Sequence, residues 1–505
     1  MTDATPKAPS DESGSRGALA VIAVCALARL ALAATLGLGF DEGYTIVISR
    51  RLDLSYFDHP PLHQWIAHYA ALALSEGAAT RAPFVVLFAA TGWLLFALTR
   101  RLFGARAGLI ALVALNLSPF FFASPGGWVT PDGPLLLTLA GAALALAALF
   151  FNTPSGRAVW WLWLAAGFWL GLAGLSKYSA ALFVVGLVAF LALSPRQRHW
   201  FRHPAPYLAA LLALAIVSPV FIWNERHFWV SFAFQSERGS IEGSWRPLQV
   251  AAQILGEIAL LSPWIFVPLV RSLFAGARKA FEDEKRLFLT CLALPAIILF
   301  TLTPLWGARG LPHWPMPGWF FVFPLMGAWV EERAGRYDFR RRAVVWAGLL
   351  GAIAIVVVSQ AATGWATRLI PLPPDAVDPT LETLDWSALR TAPALDKPAY
   401  VIATKWVEAG KIALALGPET PVFVFSHDPR GFALLDDSAR FIGQDGVIVI
   451  PQRRLDKELA ELRPYFASLD PPQTFVLRRG GRDEIALAVI PARGLTRAFP
   501  VPYRR

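Results

Sequence analysis

The chain has 505 residues, of which 55% are hydrophobic and only 16% charged, and its mean hydropathy is +0.48. Charged residues alone make up about a quarter of an ordinary soluble domain, so the composition excludes a soluble protein and describes a polytopic membrane protein. The net charge of +10 does not indicate nucleic acid, because the basic residues cluster in short loops between apolar runs, as cytoplasmic loops do.

Residues 1–16 are polar and rich in Ser, Asp and Pro, which predicts a disordered cytoplasmic tail. The run Gly17–Leu38 is long for a signal-peptide core and many further runs follow it, so it is read as a first membrane span. Arg29 lies inside it, and a structural partner such as a carbonyl or carboxylate is expected for so costly a charge. A polar stretch, Phe40–Trp65, comes next. It carries Asp41 and Glu42 directly at the membrane exit and Asp58 and His59 before Pro60 and Pro61, which shape a turn. Four titratable groups in one short loop supply base, cation-binding and phosphate-binding chemistry. Headgroup-level polarity is the plainer alternative.

Further apolar runs follow at Phe84–Leu98, Ala107–Ala123, Pro134–Phe151, Val159–Leu175, Ser179–Leu193, Tyr207–Trp223, Val250–Val270, Leu287–Thr303, Pro317–Val330 and Ala343–Ala361. The total is about eleven transmembrane helices, some short enough to be tilted or re-entrant. Four basic loops, around Arg100–Arg106, Arg196–Arg202, Arg271–Arg286 and Arg333–Arg342, fall on one side by this count, which makes that side the cytoplasm. The N-terminus is then inside and the C-terminus outside. The tail from residue 363 to 505 alternates short apolar runs (Tyr400–Ala403, Val422–Phe425, Val447–Ile450, Phe475–Leu477, Ile485–Ile490) with helix-like stretches such as Leu455–Leu462. This predicts a small soluble α/β domain beyond a membrane domain of residues 17–362. Its Ser426-His427-Asp428 run is not read as a triad, since triad members meet in space rather than as sequence neighbours. Cys25 and Cys291 both fall inside predicted spans and form no disulfide or metal-type spacing.

Parity places the polar loops on one outer face. They hold Asp41, Glu42, Asp58 and His59; Asp132; Lys177 and Tyr178; Arg238 and Glu242; and Arg309 and His313. Each has a bland reading: Asp132 as a helix cap, Lys177 snorkelling, His313 in an aromatic belt. A scaffold has no need of them all together. A transporter or flippase of a lipid-linked substrate is the main rival. It would place ionisable groups near the midplane and show inverted repeats, and neither is visible here. A non-catalytic membrane partner is a lesser alternative.

The pieces FDEGY (Phe40–Tyr44), YFDHPPL (Tyr56–Leu62), TPDGPL (Thr130–Leu135), GLSKYSA (Gly174–Ala180) and FQSERG (Phe234–Gly239) together resemble bacterial lipid-linked sugar transferases. These belong to the GT-C superfamily, near the aminoarabinose transferases of lipid A and the protein O-mannosyltransferases. The resemblance covers roughly residues 20–320. It implies a multi-pass inner-membrane enzyme that takes a sugar from a polyprenyl-phosphate donor and passes it, with inversion, to a lipid, glycan or protein acceptor on the periplasmic face. By that analogy Asp41 corresponds to the acid that acts as base or acceptor-positioning group, and Asp132 to the second acidic site. The chemistry makes Asp41 the base, with Glu42 and Asp132 as the other catalytic carboxylates, orienting the base, binding acceptor or holding a divalent cation. No cofactor is certain, although a divalent metal on Asp41, Glu42 and Asp132 is possible. The chain departs from the aminoarabinose transferases in two places: it has His59 where they carry Lys, and Tyr44 where they carry Arg, both basic residues serving the donor phosphate. Arg81, Lys177 and Arg238, with Asp58, His59, Tyr178 and His313 around them, are the expected donor-phosphate and substrate-binding set.

Overall fold

The computed structural model describes residues 11–503, apart from residues 239–244, 309, 371 and 374–376. The expected tail therefore lies largely outside the described residues. Its last part, however, is helical, because the first helix starts at Asp11. Glu12 and Arg16 sit one turn apart and pair across it at 2.5 Å, an arrangement that supports an exposed first turn.

Among the described residues seven helices are long and apolar enough to cross a membrane: Glu12–Thr35, Ala78–Phe103, Asp132–Phe151, Arg157–Ser176, Pro204–Arg226, Glu284–Trp306 and Phe339–Thr363. Two more expected spans are broken. Ala105–Asn116 and Pro119–Gly127 meet at 80°, and Pro247–Leu261 and Pro263–Arg278 at 109°. In each case a Ser-Pro step marks the break: proline keeps the serine before it out of the helical region and then opens the next helix at its first turn. The remaining two expected spans are shorter, Tyr178–Leu193 and the buried pair of helices Met316–Phe320 and Val322–Glu331. The eleven apolar runs are thus seven full spans, two bent pairs and two short segments.

The chain separates into two units. The membrane unit comprises Met1–Ala31, His59–His63 and Ala82–Gly351. The Asp132–Phe151 helix packs there between Ala82–Phe103 and Arg157–Ser176, over a core rich in Phe such as Phe121, Phe190, Phe288 and Phe323. Arg29 is 4% exposed. It donates to the carbonyl of Phe122 (2.9 Å) and to Asn116 Oδ1 (2.8 Å), with its guanidinium over the rings of Phe88 and Phe122. These contacts give the intramembrane charge its expected structural partners.

The second unit comprises Leu32–Asp58, Gln64–Arg81 and Ala352–Arg505. It contains one sheet built from β1 (Val401–Ala403), β2 (Val422–Val424), β3 (Gly446–Pro451), β4 (Phe466–Leu469), β5 (Gln473–Arg479) and β6 (Arg482–Leu495). β1 pairs parallel with β2 and with β3, and the long β6 runs antiparallel to β3, β4 and β5. Side chains alternate across it. Val401, Ala403, Val422, Val424, Val447 and Val449 face one core; Ile402, Phe423, Phe425, Ile448 and Ile450 face the other. The first core is closed by the Trp406–Leu416 helix and by Tyr44, Val47 and Ile48 of the Phe40–Ser49 helix. The polar stretch after the first span is therefore not a free loop: its first part is a helix built into the core of the C-terminal α/β fold. Gly410 makes the close packing possible. A Cβ there would lie 2.8 Å from the backbone nitrogen of Tyr44, so only a bare backbone allows the two helices to approach so closely.

Candidate active site

Each unit carries a polar centre. In the second unit, Asp41 and Glu42 occupy the first turn of the Phe40–Ser49 helix, where acidic groups complement the helix dipole. Asp41 is exposed, whereas Glu42 is only 2% exposed. Glu42 Oε2 accepts from the Gly39 N–H (2.9 Å), and its carboxylate receives Arg81 Nε (2.7 Å) and a terminal Arg81 nitrogen (2.5 Å). Arg81 also donates to the carbonyls of Ala33 (3.0 Å), Leu36 (2.7 Å) and Gly37 (2.9 Å). Arg81, expected in the donor-phosphate set, thus directs its guanidinium at Glu42 and at the carbonyls of Ala33, Leu36 and Gly37. Glu42, expected as a catalytic carboxylate, is buried and faces that guanidinium.

Lys411, from the Trp406–Leu416 helix, reaches the same turn. It donates to the carbonyls of Leu38 and Leu384. Burial lowers its pKa to about 8, against the opposing pull of Glu42 and Asp385. Burial and the Asp41 charge push the Glu382 carboxyl up, which places Glu382 and Asp41 as neighbours.

Asp58 is 2% exposed and bridges Tyr44 and Arg430. Its Oδ1 accepts from the Tyr44 hydroxyl (2.7 Å) and its Oδ2 from Arg430 (3.1 Å). The Gly431 N–H donates to the Tyr44 hydroxyl (3.0 Å), and the Arg430 guanidinium lies 3.9 Å from the Trp406 ring centroid. Burial, and then the Asp58 charge, raise the Tyr44 hydroxyl well above its ordinary pKa. Asp58 thus ties the stretch after the first long helix to the C-terminal α/β fold. Arg430 was missed from the sequence, since its partner lies 372 residues away and no local motif surrounds it.

In the membrane unit, Asp132 is the first residue of its helix and is 5% exposed. It does not act as a cap. Its Oδ1 is paired with Lys177 Nζ at 2.9 Å, and His59 and His313 lie near enough to act electrostatically on the same carboxylate. Lys177 follows directly on the Arg157–Ser176 helix in an extended conformation (φ −158°, ψ 140°), and this turns its side chain out of the helical register. His313 is stacked on Phe120 at 6.5 Å between centroids. Burial, with Lys177 and Arg238 adding to it and Asp132 opposing, lowers its pKa to about 4. At neutral pH it is an uncharged hydrogen-bonding group. Beside this pair opens a cavity of about 300 Å³ lined by His59, Lys177, Tyr178, Gln235, Arg238 and Trp314, with Leu182, Leu299 and Phe300 as its apolar wall. The Arg238 guanidinium lies over the Trp314 ring at 5.2 Å. Of the predicted set, the membrane unit therefore assembles Asp132, His59, Lys177, Tyr178, Arg238 and His313. Glu242 and Arg309 lie outside the described residues.

A divalent ion on Asp41, Glu42 and Asp132 does not fit these partners. Glu42 already faces a guanidinium and Asp132 an ammonium, and among the described residues no group of three or more His, Cys, Asp or Glu is placed to hold a metal.

Residues 58–223 match the family model for dolichyl-phosphate-mannose-protein mannosyltransferases. Lipid A galacturonosyltransferase RgtD of Rhizobium johnstonii is 26% identical over 286 residues, covering 52% of this chain and 54% of that protein. The chain thus aligns with about half the length of that curated relative. ArnT from Cupriavidus metallidurans in the apo state matches over 95% of this chain and 98% of its own, with a TM-score of 0.65 at 15% identity. The same protein bound to undecaprenyl phosphate matches over 93% and 97%, with a TM-score of 0.62 at 18% identity. At such identities the likeness is one of fold, and it runs through both the membrane helices and the C-terminal sheet. The chain therefore has the fold of ArnT, and its residues 58–223 are similar to the dolichyl-phosphate-mannose-protein mannosyltransferase family.

Proposed function

We propose that the protein is an integral-membrane glycosyltransferase that moves a sugar from a polyprenyl-phosphate donor to a lipid, glycan or protein acceptor on the periplasmic face. The observation that carries this reading is the cavity beside Asp132 and Lys177. It joins two cations, Lys177 and Arg238, to an aromatic and aliphatic wall, as a phosphate on a prenyl chain requires. Undecaprenyl phosphate bound to ArnT, a protein of the same fold, supports that donor class.

In this scheme the acceptor hydroxyl oxygen attacks the anomeric carbon and Asp41 takes its proton. The bond from that carbon to the phosphate oxygen breaks, and its electron pair leaves with the polyprenyl phosphate. Lys177 and Arg238 stabilise the charge gathering on the leaving phosphate, with His59 as a hydrogen-bonding neighbour. Asp132 holds Lys177 in place, and the uncharged His313 adds no cation.

Arg238→Ala should weaken donor binding roughly tenfold to a hundredfold, the range for a lost hydrogen bond to a charged group, and leave acceptor binding unchanged. Lys177→Gln is best paired with Asp132→Asn, so that no buried carboxylate is left without its cation. Donor affinity measured on purified protein decides: wild-type values in both variants would remove the cavity from the donor site. In cells, the glycan should be lost and the sugar-lipid should accumulate when the protein is absent.

The orientation rests on the basic loops. In a protein whose Cys25 and Cys291 are replaced by Ser, a cysteine at the half-exposed Ile442 should react with an impermeant thiol reagent applied from outside. Labelling only after permeabilisation would reverse the topology.

A further inference from the structure

The membrane unit has a second cavity, of about 450 Å³, which shares no residue with the one beside Lys177. That volume lies within the ~300–1,000 Å³ common to small-molecule clefts. The cavity opens among the basic loops, at the ends of membrane helices. Arg106 comes from the first turn of Ala105–Asn116 and Arg340 from the first turn of Phe339–Thr363, while Ile110 and Phe339 supply apolar wall.

On the wall itself Arg106 and Arg340 balance Glu331 and Asp338, and the Arg106 charge acts on Glu331, so the positive excess comes from two further arginines nearby. Both acids on the wall are committed to starting helices. Asp338 Oδ1 accepts from the Arg341 N–H at 3.1 Å, and Glu331 accepts from the Ala107 N–H. Arg271 and Arg342 add positive charge close to Tyr337, with the Arg342 guanidinium 4.5 Å from its ring centroid. Among the described residues, none of these four arginines forms an ion pair with a carboxylate. The Tyr337 hydroxyl, also on the wall, is buried and has no hydrogen-bond partner among the described residues. A buried hydroxyl left unpaired is costly, and a bound acceptor oxygen would satisfy it.

We propose that this cavity binds the phosphodiester headgroup of an anionic glycerophospholipid from the leaflet at the basic end of the membrane unit. Guanidinium groups suit phosphate oxygens because of their planar, forked donors, and the Tyr337 hydroxyl supplies a further donor. The apolar wall meets the glycerol and the first methylenes of the acyl chains. Basic pockets at the cytoplasmic ends of membrane helices select anionic headgroups by the same chemistry. The site is independent of the proposed transfer reaction.

The test uses the full-length purified protein in detergent, offered phosphatidylglycerol, phosphatidylethanolamine or inorganic phosphate. Bound lipid is counted by native mass spectrometry, and the thermal midpoint is followed in parallel. Phosphatidylglycerol should be retained and should raise the midpoint, while the zwitterionic lipid and free phosphate should do neither. Arg106→Gln and Arg340→Gln should each lower phosphatidylglycerol affinity roughly fivefold, the effect of about one basic residue near an anionic surface. Tyr337→Phe removes only the hydroxyl, and Arg340 is exposed, so these two variants stay interpretable if Arg106→Gln fails to fold. Equal retention of both lipids would overturn the proposal, as would undiminished phosphatidylglycerol binding in Arg340→Gln and Tyr337→Phe. Protection by inorganic phosphate equal to that by the lipid would overturn it too, since the site would then take a soluble anion.

Discussion

Asp41→Asn protein should bind the donor normally and transfer sugar roughly a hundredfold or more slowly. The substitution keeps the size of the side chain and removes the charge that accepts the proton. Asp41 is exposed in the first turn of its helix, where the helix dipole adds about 0.3–1 kcal/mol to a carboxylate, and donor binding reports whether the fold survives the change. A loss of rate at unchanged donor affinity would therefore be chemical. Glu42→Gln should behave differently, because Glu42 is held by Arg81 and the Gly39 N–H, so its loss should appear first in stability. Transfer from purified polyprenyl-phosphate sugar, with donor binding measured alongside, separates the two. An Asp41→Asn protein working near the wild-type rate would remove Asp41 from the mechanism.

Arg81→Met should have the largest effect on stability, about 3–5 kcal/mol, because it leaves the buried Glu42 carboxylate without its cation. The carbonyls of Ala33, Leu36 and Gly37 lose their donor in the same step. The double replacement Arg81→Met with Glu42→Leu should recover part of the loss, since apolar groups of similar volume often substitute for a buried ion pair. Thermal midpoints of the three proteins check this. A single variant as stable as the wild type, with weakened donor binding, would return Arg81 to the phosphate site.

The sequence revealed what depends on local pattern. The strand runs around Val422, Val447 and Ile485 and the Leu455–Leu462 helix are visible because alternation and helical spacing are written into consecutive residues. The two bent pairs were hidden by their hydrophobicity: an apolar window runs on across Ser118-Pro119 and Ser262-Pro263, although those steps carry the break. Lys177 and Arg238 stood out as charges at helix ends, and Asp132 as an acid between prolines. What each of these groups does depends on partners distant in the chain. The partners of Glu42 and Asp58, Arg81 and Arg430, lie 39 and 372 residues away, out of reach of any local pattern. Composition marks where charge is concentrated, and only the fold says which charge is already neutralised.

The Phe40–Ser49 helix packs against the Trp406–Leu416 helix, and Arg50 at its end donates to the carbonyl of Ala413, 363 residues later. A ribosome adding about 5–20 residues per second needs roughly 20–70 seconds to cover that interval. During that time the helix bearing the proposed base has no floor beneath Tyr44 and Val47, and Asp58 lacks Arg430. The first polar segment to leave the membrane is therefore among the last to mature. A chain interrupted before its final hundred residues would be inserted in the bilayer yet lack an ordered Asp41.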